Sequence, residues 1–158
     1  MQEIIRMQNN LLLIRRTVGW TAEEFGDRIG VTRQTINNIE SGRNKLTKTQ
    51  YIAMRSVLDA EMALEPKDTE MLKILLDVLV DHPENYDVEK RDELLSKANL
   101  MAPSILAGAT SRAVVSKEWM NAVGLAVVAG VVLGPLAGVV AVNPWLSKSI
   151  AESKKKKE

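Results

Sequence analysis

Apolar residues recur at intervals of three and four through residues 4–64, broken by short glycine-containing turns, and nowhere in that span do they alternate strictly with polar ones. The pattern predicts short helices and no strands. Leu11, Leu12 and Ile14 seed one that stops at Gly19; Thr21 caps a second that carries Phe25 and Ile29 and ends at Gly30. Thr32 caps a third running to Gly42, and Thr47 a fourth with Tyr51, Met54 and Leu58 on one face. Four helices are thus expected within residues 1–66. Glu65-Pro66-Lys67 reads as a break. Beyond it, Met71, Leu72, Leu75, Leu76 and Leu79 form a broad apolar face that stops at His82-Pro83. Asp87 caps a further amphipathic helix bearing Val88, Leu94, Leu95 and Ala98, expected to end before Pro103. These two are predicted to form a helical hairpin, and the small-residue stretch 104–117 leads onward from it. No internal repeat at solenoid periods is present.

The pattern changes character near the C-terminus. Residues 119–147 contain no charge, and residues 122–142 are a run of 21 made only of Ala, Val, Gly, Leu and one Pro. As a helix, at ~1.5 Å per residue, that run would reach ~31 Å, close to the hydrocarbon thickness of a bilayer. Ala122, Ala126, Gly130, Gly134 and Gly138 recur every fourth residue, a small-residue stripe through which helix backbones approach closely in lipid. Trp119 and Trp145 bracket the run as interfacial aromatics would. Membrane association and a buried oligomer core are both compatible with this composition. A single crossing would export Lys148 and the lysines at 154–157, against the tendency of such residues to stay inside, whereas a turn at Gly134-Pro135 would keep both ends in the cytosol. The tail is either a solvated terminus or an electrostatic contact with anionic lipid.

Charge refines the division. The net charge of +1 is uneven: residues 1–66 carry 9 basic and 8 acidic groups, residues 67–118 carry 7 and 10, and residues 119–158 carry 5 and 2. With no cysteine and one histidine, neither a disulfide scaffold nor a thiolate or multi-histidine metal site is expected, and a reducing, intracellular setting fits. Arg6 interrupts the first apolar residues, so no signal peptide is expected. His82 beside Asp81 and Glu84 is expected to be a loop residue. Asp87, Glu89, Asp92 and Glu93 are expected to be a solvated helix face. There is neither a phosphate-binding glycine loop nor a nucleophile elbow, so neither an enzyme nor a bound cofactor is expected.

Residues 20–42 carry the sharpest signal. Two short helices must cross closely: Gly26 permits the approach, Gly30 makes the turn, and Phe25, Ile29, Val31, Ile36 and Ile39 fill the seam. Arg33, Gln34, Thr35, Asn37 and Asn38 remain on the outside. Arginine pairs with guanine through two hydrogen bonds, and glutamine or asparagine does the same with adenine. Arg43, Asn44, Lys45 and Lys48 follow where a phosphate backbone would lie, with Thr32 and Thr35 at the start of the helix as further phosphate candidates.

With that core, Thr32-Arg-Gln-Thr-Ile-Asn-Asn-Ile-Glu-Ser-Gly42, the chain resembles the Cro and lambda-repressor-like (XRE) helix-turn-helix family over about residues 11–58. The resemblance implies a recognition helix in the major groove, with Arg33, Gln34 and Asn38, and also Asn37, at the bases. Many members have glutamine on phosphate at the start of the second helix; Ala22 stands there instead. The weak positive balance of residues 1–66 implies modest affinity per copy, offset by dimers whose recognition helices lie ~34 Å apart. The expected architecture is all-α: a lambda-repressor-like helix-turn-helix domain (1–66), a helical middle region (67–118), an apolar helix or hairpin for membrane association or oligomerisation (119–147) and a lysine-rich tail (148–158). The expected partners are double-stranded DNA, further copies of the chain and membrane lipid. The leading expectation is a sequence-specific transcriptional regulator, a repressor by resemblance, cytoplasmic and held at the membrane or in a soluble oligomer. The alternatives are a membrane tether for plasmid or phage DNA and an immunity- or antitoxin-like module that binds protein.

Overall fold

The computed structural model describes residues 1–108 and 110–122, all of them within one compact unit, Met1–Val123. These residues form eight α-helices and no strand. The family-like part holds α1 (Gln2–Asn9), α2 (Leu11–Val18), α3 (Ala22–Ile29), α4 (Arg33–Glu40) and α5 (Lys48–Leu64). Thr21, Thr32 and Thr47 each cap the following helix with the side-chain oxygen, accepting from the backbone N–H three residues on. At Thr21 and Thr47 the bond is reciprocated by Glu24 and Gln50, which satisfies two otherwise orphaned donors at each start.

Residues 1–66 hold five helices rather than four. The extra one is α1, separated from α2 at Asn10, whose side-chain amide donates to the Arg6 carbonyl at 2.8 Å and closes the end of α1. Its Met7 is fully buried with Leu11, Ile14 and Val18 of α2.

After Pro66 come α6 (Glu70–Leu76), a π-helical turn (Asp77–Asp81), a short 3-10 turn (Pro83–Asn85), α7 (Val88–Leu106) and α8 (Arg112–Ala122). The two helices expected to form a hairpin, α6 and α7, pack chiefly on other helices rather than on each other. α6 packs on α2 and α8, and α7 packs along α2 and α8, so α2 serves as a shared support for both. The π-helical turn is held by Asp77, whose carboxylate takes the His82 ring at 2.7 Å and the Tyr86 hydroxyl at 2.6 Å, while the His82 N–H reaches the Asp77 carbonyl at 2.8 Å. The hydrogen bond to the Asp77 carboxylate raises the His82 pKa, against the opposing effect of burial.

α7 continues through Pro103 instead of ending before it. Proline inside a helix costs about 3 kcal/mol. Ala102 and Ile105, both buried, lie just beside it, and their burial offsets the missing hydrogen bond. Trp119 also differs from the interfacial placement its position suggests. It is fully buried in α8 rather than placed at a membrane interface, so the first residue of the uncharged stretch belongs to the core of this unit.

Three arginines fasten the helices after Pro66 to those before it. Arg6 Nε donates to the Val80 carbonyl at 2.7 Å, and Arg55 holds Asp81 with two bonds of 3.0 Å. Arg112 reaches back to the Val18 carbonyl at 3.0 Å and Glu61 at 2.8 Å. Among the described residues no helix is long and apolar enough to cross a membrane. Of the stripe, Ala122 is the exposed last residue of α8; Ala126, Gly130, Gly134 and Gly138, and the tail, lie outside the described residues.

Candidate nucleic-acid interface

The crossing of α3 and α4 depends on two glycines. A Cβ at Gly26 would stand 2.6 Å from the Val31 carbonyl oxygen, which real side chains essentially never do, and the Val31 N–H bonds the Gly26 carbonyl at 2.9 Å. Gly30 ends α3 with φ of +77°, in the left-handed region. Phe25, Ile36 and Ile39 are fully buried at the seam, while Ile29 and Val31 are half-buried beside it.

With Ile36 and Ile39 turned inward, the outer face of α4 is polar. Arg33, Gln34 and Asn37 are exposed, and Thr35 and Asn38 are half-exposed. Gln34 Nε2 donates to Asn38 Oδ1 at 3.0 Å, so these two amides, one helical turn apart, form a pre-set pair. The Thr32 hydroxyl accepts from the Thr35 N–H at 3.1 Å and lies 3.0 Å from the Thr35 hydroxyl, which engages both threonines in capping α4. Arg43, Asn44, Lys45 and Lys48 are all exposed beyond the C-terminal end of α4. Arg33, Arg43, Lys45 and Lys48 have no ion-pair partner among the described residues, so their charge is available to an external anion. Ala22 is buried at the start of α3 and has no polar side-chain atom to offer a phosphate.

The structure adds residues that sequence reasoning missed. Arg15 of α2 and Glu40 at the end of α4 form a two-bond ion pair of 2.5 and 3.0 Å, and each side chain is only 8% exposed. Arg15 also donates to the Trp20 carbonyl at 3.0 Å, so one guanidinium ties α4 to α2 and to the entry of α3. On the far side, Gln8 of α1 grips the loop that follows α4. No local spacing announces either contact: 25 residues separate Arg15 from Glu40, and 36 separate Gln8 from Asn44.

The pattern of a family described as Helix-turn-helix matches residues 11–63, from the start of α2 almost to the end of α5. The chain belongs to the XRE-type helix-turn-helix family. Among its relatives is Antitoxin HipB of Escherichia coli (strain K12), 30% identical over 59 residues, which is 37% of this chain and 67% of that protein. Antitoxin HipB of Escherichia coli O6:H1 is 29% identical over 59 residues, 37% of this chain and 63% of that protein. The chain thus spans about two thirds of the length of these relatives. No solved structure matches it. Within this XRE-type chain α1 precedes the matched segment and α6 to α8 follow it, so the contacts made by Gln8, Arg6 and Arg112 come from outside the family core.

Proposed function

We propose that this chain is a sequence-specific DNA-binding regulator, a repressor, that lays α4 in the major groove. The observation that carries this reading is the division of α4: its apolar side chains all turn inward, while Arg33, Gln34, Asn37 and Asn38 stand outside, the residue types whose geometry matches guanine and adenine edges. Arg43, Asn44, Lys45 and Lys48, with Thr32 and Thr35 at the other end of α4, serve the phosphates. A pair of copies reading two half-sites about one turn apart, ~34 Å, offsets the small net charge of each. Selection of bound duplexes from a random pool tests this: a defined motif in two half-sites is expected, and enrichment of no motif contradicts the reading.

The resemblance to proteins named antitoxins favours a second reading, in which the chain also pairs with a toxin protein. Purification from the native cell should then recover one dominant protein partner whose expression alone arrests growth. Recovery of the chain without such a partner contradicts it.

The uncharged composition of residues 122–142 supports holding the cytoplasmic regulator at a bilayer or in an assembly through the small-residue stripe. The full chain is expected in the membrane fraction, released by detergent; a defined oligomer in the high-speed supernatant would leave assembly as the role of this stretch.

A further inference from the structure

We infer that Gln8 is a positioning residue for the DNA phosphate contacts: α1, which lies ahead of the family core, holds the loop after the recognition helix in its binding shape. The inference rests on the DNA-binding reading above. Gln8 Nε2 donates to the Ile39 carbonyl at 2.9 Å and to the Asn44 carbonyl at 2.8 Å, and Gln8 Oε1 accepts from the Leu46 N–H at 3.0 Å. Both protons of the amide nitrogen and its oxygen are thereby spent on backbone groups of one short segment. The points gripped are the last turn of α4 and the loop residues on either side of Lys45. The loop is also tied by the Gly42 N–H to the Ile39 carbonyl and the Asn44 N–H to the Asn38 carbonyl, both at 3.1 Å, by Ser41 at the end of α4, whose hydroxyl donates to the Asn38 carbonyl at 3.2 Å, and by buried Leu46.

The physical consequence is a difference in ordering cost. Arg43, Asn44 and Lys45 are exposed and make no side-chain bond to the rest of the chain among the described residues, so only the backbone beneath them determines where they meet a phosphate. A loop that must be ordered on binding spends part of its interaction free energy on that ordering. Gln8 removes part of this cost beforehand. It touches no side chain of the base-reading set, so its effect should fall on affinity for any duplex and not on the choice of sequence.

A double-mutant cycle on the full chain tests the inference, with binding measured on a selected and a scrambled duplex over a range of salt. Gln8→Ala should weaken both duplexes by a similar factor and flatten the salt dependence, because the loop released from α1 stays unordered in part of the complexes and its phosphate contacts are not made there. Lys45→Ala should weaken binding on its own but add less than about twofold in the Gln8→Ala background, since the two share one route. Full additivity, or a loss confined to the selected duplex, overturns the inference. Gln8→Met, which keeps the volume without the hydrogen bonds, should behave like Gln8→Ala, and amide exchange at Leu46 should quicken in either variant. If the unaltered chain binds no duplex, the functional reading fails separately; slow exchange at Leu46 in both variants would then show that Gln8 does not order the loop.

Discussion

Six arginines of this chain form two contrasting sets. Arg6, Arg15, Arg55 and Arg112 are spent on the molecule itself, on the Val80 carbonyl, Glu40, Asp81, and Val18 with Glu61. Arg33 and Arg43 stand exposed at the recognition helix and the loop after it, with no ion-pair partner among the described residues. The first set fastens α2 to α4 and the appended helices to the family core. The second leaves its charge outward on the face proposed to meet DNA. A guanidinium loses much of its hydration on burial and must be repaid by good geometry, so the buried pairs mark where the fold is fixed. The exposed ones contribute little to stability, which frees them for a ligand.

The largest effects should come from breaking the first set and the core beside it. Glu40→Ala leaves the Arg15 guanidinium buried with only the Trp20 carbonyl, and should cost ~3–5 kcal/mol in denaturant unfolding. Trp119→Ala should cost about as much, ~3–5 kcal/mol, by opening a cavity in α8. Trp119→Phe should cost clearly less, because the indole N–H has no hydrogen-bond partner among the described residues to lose. A chain ended after residue 123 should therefore fold, whereas one ended after residue 118 should unfold at lower denaturant.

These core effects also show what was readable beforehand. Thr21, Thr32, Thr47 and Asp87 announced four helix starts because capping acts over three residues, a distance a sequence displays directly. The seam residues and the outward set on α4 were likewise local, fixed by helical period and the two glycines. What escaped was non-local. Trp119 looked like the edge of an apolar run, yet α8 carries it into the core, and Pro103 looked like a stop, yet the burial of Ala102 and Ile105 carries α7 past it. The Arg15–Glu40 pair and the Gln8 grip join residues whose proximity exists only after folding.

A middle-sized effect should separate the second set from the first. Arg33→Ala and Gln34→Ala should each lose ~1–3 kcal/mol of binding to a selected duplex, while unfolding free energy stays within about 0.5 kcal/mol of the parent. Equal losses in both measurements would erase the distinction between fastening and reading.

The smallest effect concerns the π-helical turn. Because the bond to Asp77 raises the His82 pKa in the folded state, protonation contributes stability that is fully present below the unfolded value of ~6.5 and is lost as pH rises through the folded one. His82 is nearly half exposed, so solvent keeps the contribution small. Denaturation midpoints at pH ~6 and ~8.5 should differ slightly for the parent in the direction of greater stability at the lower pH. His82→Gln should remove that part of the difference; an unchanged difference would place its origin elsewhere.

Base reading by the outward side chains of α4 is open to a single direct measurement. Binding of the full chain and of Arg33→Ala to a selected duplex and to its scrambled counterpart, at one fixed salt concentration, tests this most directly. A loss of ~1–3 kcal/mol is expected on the selected duplex, with little change on the scrambled one and relaxed preference at a single base pair in each half-site. Equal losses on both duplexes would contradict it, showing that Arg33 meets only the phosphate backbone and that α4 does not read sequence.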